Sequence, residues 1–135
     1  MDRFKHWVKP RIIHGKPTKY GWVVYHPNKL KLGKYTDIGH GVFNQAKYGV
    51  TIEDYAQVGG GAYIYTYNSE NGTKGSIIIK KNAKIGALAL ILPKPDGSPL
   101  IIGENSFVGA LTVVTKDVPD NFYYANQRIT RMEPI

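Results

Sequence analysis

Few side chains in this 135-residue chain can take up a proton near neutral pH. The histidines are His6, His14, His26 and His40, and the 10 tyrosines add no base there, because a phenol titrates near 10. His6 and His14 fall in an irregular N-terminal stretch and His26 precedes Pro27, which assigns these three to surface or capping roles. His40 stands in Ile38-Gly39-His40-Gly41, two places after an aliphatic residue expected to point inward. It is therefore expected to point outward, where it is either inert or faced by a neighbouring subunit. The absence of cysteine excludes disulfides, thiolate metal sites and thiol nucleophiles.

Lysine and arginine total 18 against 10 acidic residues, a net charge of +8. Nucleic acid is the usual partner of such a chain. Here the cations are spread from Arg3 to Arg131, with no helix-turn-helix, zinc-finger or RNP-like segment beside them, and a polyanionic small molecule suits them equally well, so no nucleic-acid partner is expected. No run of 18 apolar residues occurs, and Lys5, His6 and Lys9 interrupt the start of the chain. The chain reads as a single soluble, cytoplasmic domain with no membrane insertion.

The elements that must position these residues follow a beat of six. Ile52 is followed four places later by Ala56, Val58 by Ala62, Ile79 by Ala83, Ile85 by Ala89, Ile102 by Ser106, and Val108 by Thr112. Glycine stands just after the aliphatic residue at Gly39, Gly59, Gly86, Gly103 and Gly109. A strand repeats every two residues and a helix every 3.6, so neither accounts for a period of six. A short fixed period is the signature of stacked coils, and the hexapeptide repeat belongs to the parallel β-helix. The chain is expected to be all-β, with about four triangular coils.

Three hexads complete one turn, so Ile38, Val58, Ile79 and Ile102 are expected to stack on one face. The beat slips between Ile38 and Ile52, between Ile64 and Ile79, and between Ile91 and Ile102, where turn-forming residues such as Pro95-Asp96-Gly97-Ser98-Pro99 gather. One domain, 1–135, is expected: a capping segment over 1–30, the repeat over 31–119 and a tail over 120–135. The tail is either a last strand leaving the coil or a short capping helix. Aromatic residues from Tyr20 to Tyr67 crowd the first half, several outside the inward column, which marks either an interface or a stack covering solvent-facing strands.

The stretches IIIKKNAKIGALALILP (77–93) and IIGENSFVGALTVVTKDVPDNFYYANQRITRM (101–132) closely resemble the C-terminal half of hexapeptide-repeat acyltransferases. Residues 32–119 carry the resemblance, and the Lys-Asp-Val-Pro motif after two hexads is its most specific part. The segment YGVTIEDYAQVGGGAYIYTYNSENGTKG (48–75) looks most like sugar O- and N-acetyltransferases of surface-polysaccharide synthesis. The resemblance implies a left-handed parallel β-helix and a homotrimer with active sites between subunits. It also implies acetyl transfer from acetyl-CoA to the amine or hydroxyl of a sugar or nucleotide-linked sugar.

Carried over by motif, Ala87, Ala89 and Ala110 would line the pantetheine arm, and Lys116, Arg128 and Arg131 would meet the phosphates of CoA. Charge-assisted contacts of that kind are the strong hydrogen bonds. Acyl transfer needs a base for the acceptor's proton and donors for the developing oxyanion. The family usually supplies a histidine, where this chain has Gly61, Tyr67 and Leu88. His40 and Glu70 remain as candidate catalytic groups, with Asn44, Tyr67 and Asn68 as candidate acceptor contacts. Asn68 also fills the small-residue place after Ile64, which suits an internal rung instead. The alternative is a catalytically weak or inactive β-helix that binds a ligand or serves assembly. The γ-type carbonic anhydrases share the architecture but need three converging imidazoles. Only His40 lies within the repeat, so no metal is expected.

Overall fold

The computed structural model describes residues 6–125 and 128–132, with 128–130 described by their backbone alone. The chain winds as a triangular prism whose three faces are parallel sheets. The first face stacks Val23–Tyr25, Phe43–Gln45, Tyr63–Tyr65, Leu90–Ile91 and Val113–Val114. The second stacks Leu30–Leu32, Val50–Ile52, Ile77–Ile79 and Leu100–Ile102. The third stacks Asp37–Ile38, Gln57–Val58, Lys84–Ile85, Phe107–Val108 and Phe122–Ala125, and Arg128–Arg131 adds to it antiparallel.

Four coils are complete, and a shorter fifth crosses all three faces through Val113–Val114, the bridge from Ile102 to Val118, and Phe122–Ala125. The stack starts at Val23, within the segment expected to cap it, because Val23 pairs in register with Phe43 although no hexad announces it.

Strands of two or three residues suffice because each inward residue packs on its equivalents above and below. The first inward column is Val24, Asn44, Ile64, Ile91 and Val114. The second is Leu32, Ile52, Ile79 and Ile102. The third is Ile38, Val58, Ile85, Val108 and Tyr124. The expected column of Ile38, Val58, Ile79 and Ile102 is therefore wrong after Val58, and Ile85 is the residue that lies under Val58. The 21 residues from Val58 to Ile79 look like a full turn, but residues 67–74 leave the coil as a hairpin and do not advance it. Only two faces are passed in that interval.

The small residues behave as the hexad predicts. Ala56, Ala62, Ala83, Ala89, Ser106 and Thr112 are all buried at the corners. Close approach of successive coils explains the glycines: a Cβ on Gly59 would stand 2.5 Å from the Ala87 nitrogen, and one on Gly86 would stand 2.4 Å from that of Ala110.

Two of the three edges turn in four residues throughout. They span 33–36, 53–56, 80–83 and 103–106 on one, and 39–42, 59–62, 86–89 and 109–112 on the other. All variation in length falls on the remaining edge, between the first and second faces, where the turns span 26–29, 46–49, 66–76 and 92–99. That edge carries the hairpin Tyr67–Asn68/Thr73–Lys74.

Candidate functional site

The edge between the third and first faces brings His40, Gly60, Ala87 and Ala110 onto successive rungs. The Gly61 N–H donates to the His40 carbonyl, the Leu88 N–H to that of Gly60 and the Leu111 N–H to that of Ala87, each at 3.0 Å. One rung is one strand spacing, so His40 and Ala110 are about 14 Å apart along the edge. The imidazole of His40 is exposed and lies against the backbone of Gly21, where a Cβ would come 2.0 Å from Nδ1.

A shallow groove of about 340 Å³ runs beside this edge on the third face. Gly39, Gly59 and Gly60 form part of its floor, and Asp37, Gln57, Lys84 and Phe107 stand along it. Glycine along part of the floor leaves backbone exposed there. Gln57 and Lys84 were not singled out from the sequence. The signal for them is their place just before the inward residues Val58 and Ile85, which turns them outward.

Two expected contacts face the other way. Asn44 and Ala89 are each 1% exposed and belong to the core. Asn44 sits between Val24 and Ile64 in an inward column, with its Oδ1 buried and unpartnered, and Ala89 fills the inside of a corner.

Glu70, Tyr67 and Asn68 lie on the hairpin, at a different edge from His40. Thr66 roots the hairpin: its hydroxyl donates to the Gln45 carbonyl at 2.9 Å and accepts from the Tyr48 N–H at 3.1 Å. Asn68 is not an internal rung; its Oδ1 accepts the Glu70 N–H at 3.1 Å and shapes the exposed turn. Tyr67 is exposed beside Tyr48, with ring centroids 6.4 Å apart. Within one chain the outer surface of the first face separates His40 from Glu70. That surface is aromatic: Tyr25 stacks on Phe43 at 5.1 Å and Tyr63 on Tyr65 at 5.4 Å. Burial, and secondarily the neighbouring Tyr63, raises the Tyr65 phenol above its usual range.

Lys116 is exposed at the last turn between the first and second faces, its Nζ 5.8 Å from the Tyr124 ring centre. Its backbone belongs to that edge, while its ammonium group reaches toward Tyr124, which pairs with Val108 on the third face. Arg131 is exposed on the final strand, and the side chain of Arg128 lies outside the described residues. The Lys-Asp-Val-Pro motif does structural work in this chain. Asp117 accepts the Ile101 N–H at 2.8 Å and pairs with Lys94 at 3.2 Å, while Val118 is buried beneath Ile102. Among the described residues no group of three or more His, Asp or Glu side chains could hold a metal ion. None of their helices is long and apolar enough to cross a membrane.

A triangular β-helix with glycine-floored corners defines the hexapeptide-repeat class, and known proteins of that class resemble this chain. The bifunctional protein GlmU of Lawsonia intracellularis is 35% identical over 94 residues, which are 69% of this chain and 18% of that protein. GlmU of Corynebacterium aurimucosum is 25% identical over 113 residues, 84% of this chain and 21% of that protein. The chain thus spans about a fifth of the length of the curated relatives it matches.

Among solved structures, the hexapeptide-repeat acetyltransferase VCA0836 of Vibrio cholerae superposes with a TM-score of 0.71 at 22% identity, covering 84% of this chain and 68% of that one. AntD, an N-acyltransferase of Bacillus cereus solved with dTDP and 3-hydroxybutyryl-CoA, superposes with a TM-score of 0.60 at 18% identity, covering 86% and 77%. No protein-family model matches the chain. The protein has the hexapeptide-repeat β-helix fold and resembles the acyltransferases built on it.

Proposed function

We propose that this protein is an acyltransferase that moves an acetyl group from acetyl-CoA to an amine or hydroxyl of a sugar or nucleotide-linked sugar. The single observation that carries the reading is the alignment of His40, Gly60, Ala87 and Ala110 on one edge beside a glycine-floored groove. The solved neighbours, one of them bound to an acyl-CoA and dTDP, support it.

In this reading Ala87 and Ala110 leave backbone exposed for the pantetheine arm, and Lys84 joins Lys116, Arg128 and Arg131 as a candidate for its phosphates. The thioester supplies the activated acyl carbon. His40 takes the proton that the acceptor nitrogen or oxygen loses as it attacks that carbon, the C–S bond of the thioester breaks, and the same proton passes to the departing CoA thiolate. A cytoplasmic setting goes with that donor.

The active unit is a homotrimer. Leu88 and Leu111 are 59% and 72% exposed on the proposed active edge, and both hold left-handed backbone, with φ of 61° and 62°. Glycine holds the same place in the preceding coils, at Gly41 and Gly61. Leucine there carries both a steric and a solvation cost, and a subunit contact removes the second. A neighbour seated on this edge can bring its own hairpin, with Tyr67, Asn68 and Glu70, toward His40.

The test is thiol release from acetyl-CoA with amino-sugar and nucleotide-sugar acceptors, for the parent protein and for His40→Ala and Glu70→Ala. Loss of more than about tenfold, roughly 1.4 kcal/mol of barrier, in either variant assigns the base. CoA binding without turnover would favour the non-catalytic binder, which the separation of His40 and Glu70 within one chain also fits. Absence of CoA binding would end the reading.

A further inference from the structure

Much of the net charge of +8 has no role in the site above. Part of it converges on the edge between the first and second faces. There Asn28, Lys29, Lys31, Lys47, Tyr48 and Gly49 line a concavity of about 570 Å³. Lys29, Lys31 and Lys47 are exposed, and no carboxylate lines the bowl. Beside the bowl, on the hairpin, Lys74 holds its Nζ 5.5 Å from the ring centre of Tyr48, which lines it, and Lys47 approaches the same ring at 5.6 Å. None of the four makes an ion pair among the described residues, whereas Lys80 and Lys94 elsewhere pair with Glu53 and Asp117. A concave surface lined by charge of one sign concentrates a counter-ion.

We propose that this bowl holds the diphosphate of a nucleotide-linked acceptor and directs its sugar onto the hairpin. The inference rests on the acyltransferase reading and narrows its acceptor to the nucleotide-linked class. Two adjacent phosphates carry two to three negative charges, which four ammonium groups match, and lysine meets phosphate as a point charge. The bowl and hairpin are mechanically joined: the Tyr48 N–H donates to the Thr66 hydroxyl at the hairpin root, and the Tyr48 and Tyr67 rings are neighbours at 6.4 Å. A ligand anchored by its phosphates at Lys31 and Lys47 therefore extends one rung along the edge to Tyr67, Asn68 and Glu70. A neutral free sugar would gain nothing from the four cations.

The test is calorimetric titration of the full chain with UDP, dTDP, inorganic pyrophosphate, CoA and a short DNA duplex at low salt. The same titrations are run on Lys31→Gln with Lys47→Gln, and on Lys19→Gln as a control. Both nucleoside diphosphates should bind the parent and the control. The double variant should lose at least tenfold in affinity for them, about 1.4 kcal/mol, with CoA affinity and thermal midpoint unchanged. Three results overturn the proposal: no nucleoside diphosphate binding at about 1 mM, an equal affinity in the double variant, or a parallel loss of CoA affinity, which would make the bowl the donor's site. Duplex binding that is tighter than UDP binding and lost in the double variant overturns it too, in favour of nucleic acid. Transfer to a free amino sugar that survives in the double variant leaves the acyltransferase reading standing even if the bowl fails.

Discussion

Leu88 lies over Gly61 of the preceding coil, so that a methyl group built on Gly61 would stand 2.6 Å from Leu88 Cδ2. Gly61 also has a φ of +73°, where a Cβ is costly. Gly61→Ala is expected to lower stability by about 1–2 kcal/mol. Gly41→Ala shares the backbone cost, at a φ of +77°, but finds its nearest atoms at 3.7 Å. Urea denaturation of both variants separates the contact from the backbone. Equal losses would mean that Leu88 swings aside at no cost.

The same corner tests the trimer. Leu88→Asn with Leu111→Asn keeps a residue that tolerates left-handed backbone and removes the exposed apolar surface. Light scattering should report a trimer for the parent and a smaller species for the variant, with the circular dichroism of the fold retained. A parent that is monomeric at all concentrations would remove the neighbour's hairpin from the proposed site.

Asn44 offers a stabilising change. Its Oδ1 is buried without a partner between Val24 and Ile64, and such a group costs about 1–3 kcal/mol. Asn44→Leu should raise the thermal midpoint without altering CoA binding. A lower midpoint would indicate that the amide is satisfied in solution, and that overpacking dominates.

Alkaline pH should weaken the fold through two phenols. Burial raises Tyr124, and burial with the neighbouring Tyr63 raises Tyr65, above the usual value near 10. The folded chain then holds these protons to higher pH than the unfolded chain does. Their contribution is complete below the unfolded value and is lost as pH climbs through the folded one. Stability measured at pH 9 and about pH 11 should fall less in Tyr65→Phe than in the parent; an identical fall would sink the assignment.

The inward positions were largely legible because packing between coils admits only short aliphatics at one place in six and small residues at another. Ile52, Val58, Ile79 and Ala56 could be read directly. Asn44 could not, since a polar residue in the column breaks the pattern that reveals it. Nor could the column after Val58, because residues 67–74 count in the sequence but not in the coil.

The grouping of chemical residues was less accessible. His40 comes from one motif and Ala87 with Ala110 from another, yet the three share one edge, whereas Glu70 and the backbone of Lys116 lie along another. The lysines in and beside the bowl are separated by up to 45 positions, from Lys29 to Lys74, and nothing local joins them. The amino-acid sequence by itself determined the repeating coil, since a steric rule that acts every six residues leaves its mark on every coil. Only the tertiary structure decided which edge each reactive side chain occupies. Edge assignment depends on the number of faces traversed, and a looped-out insertion changes the residue count without changing that number.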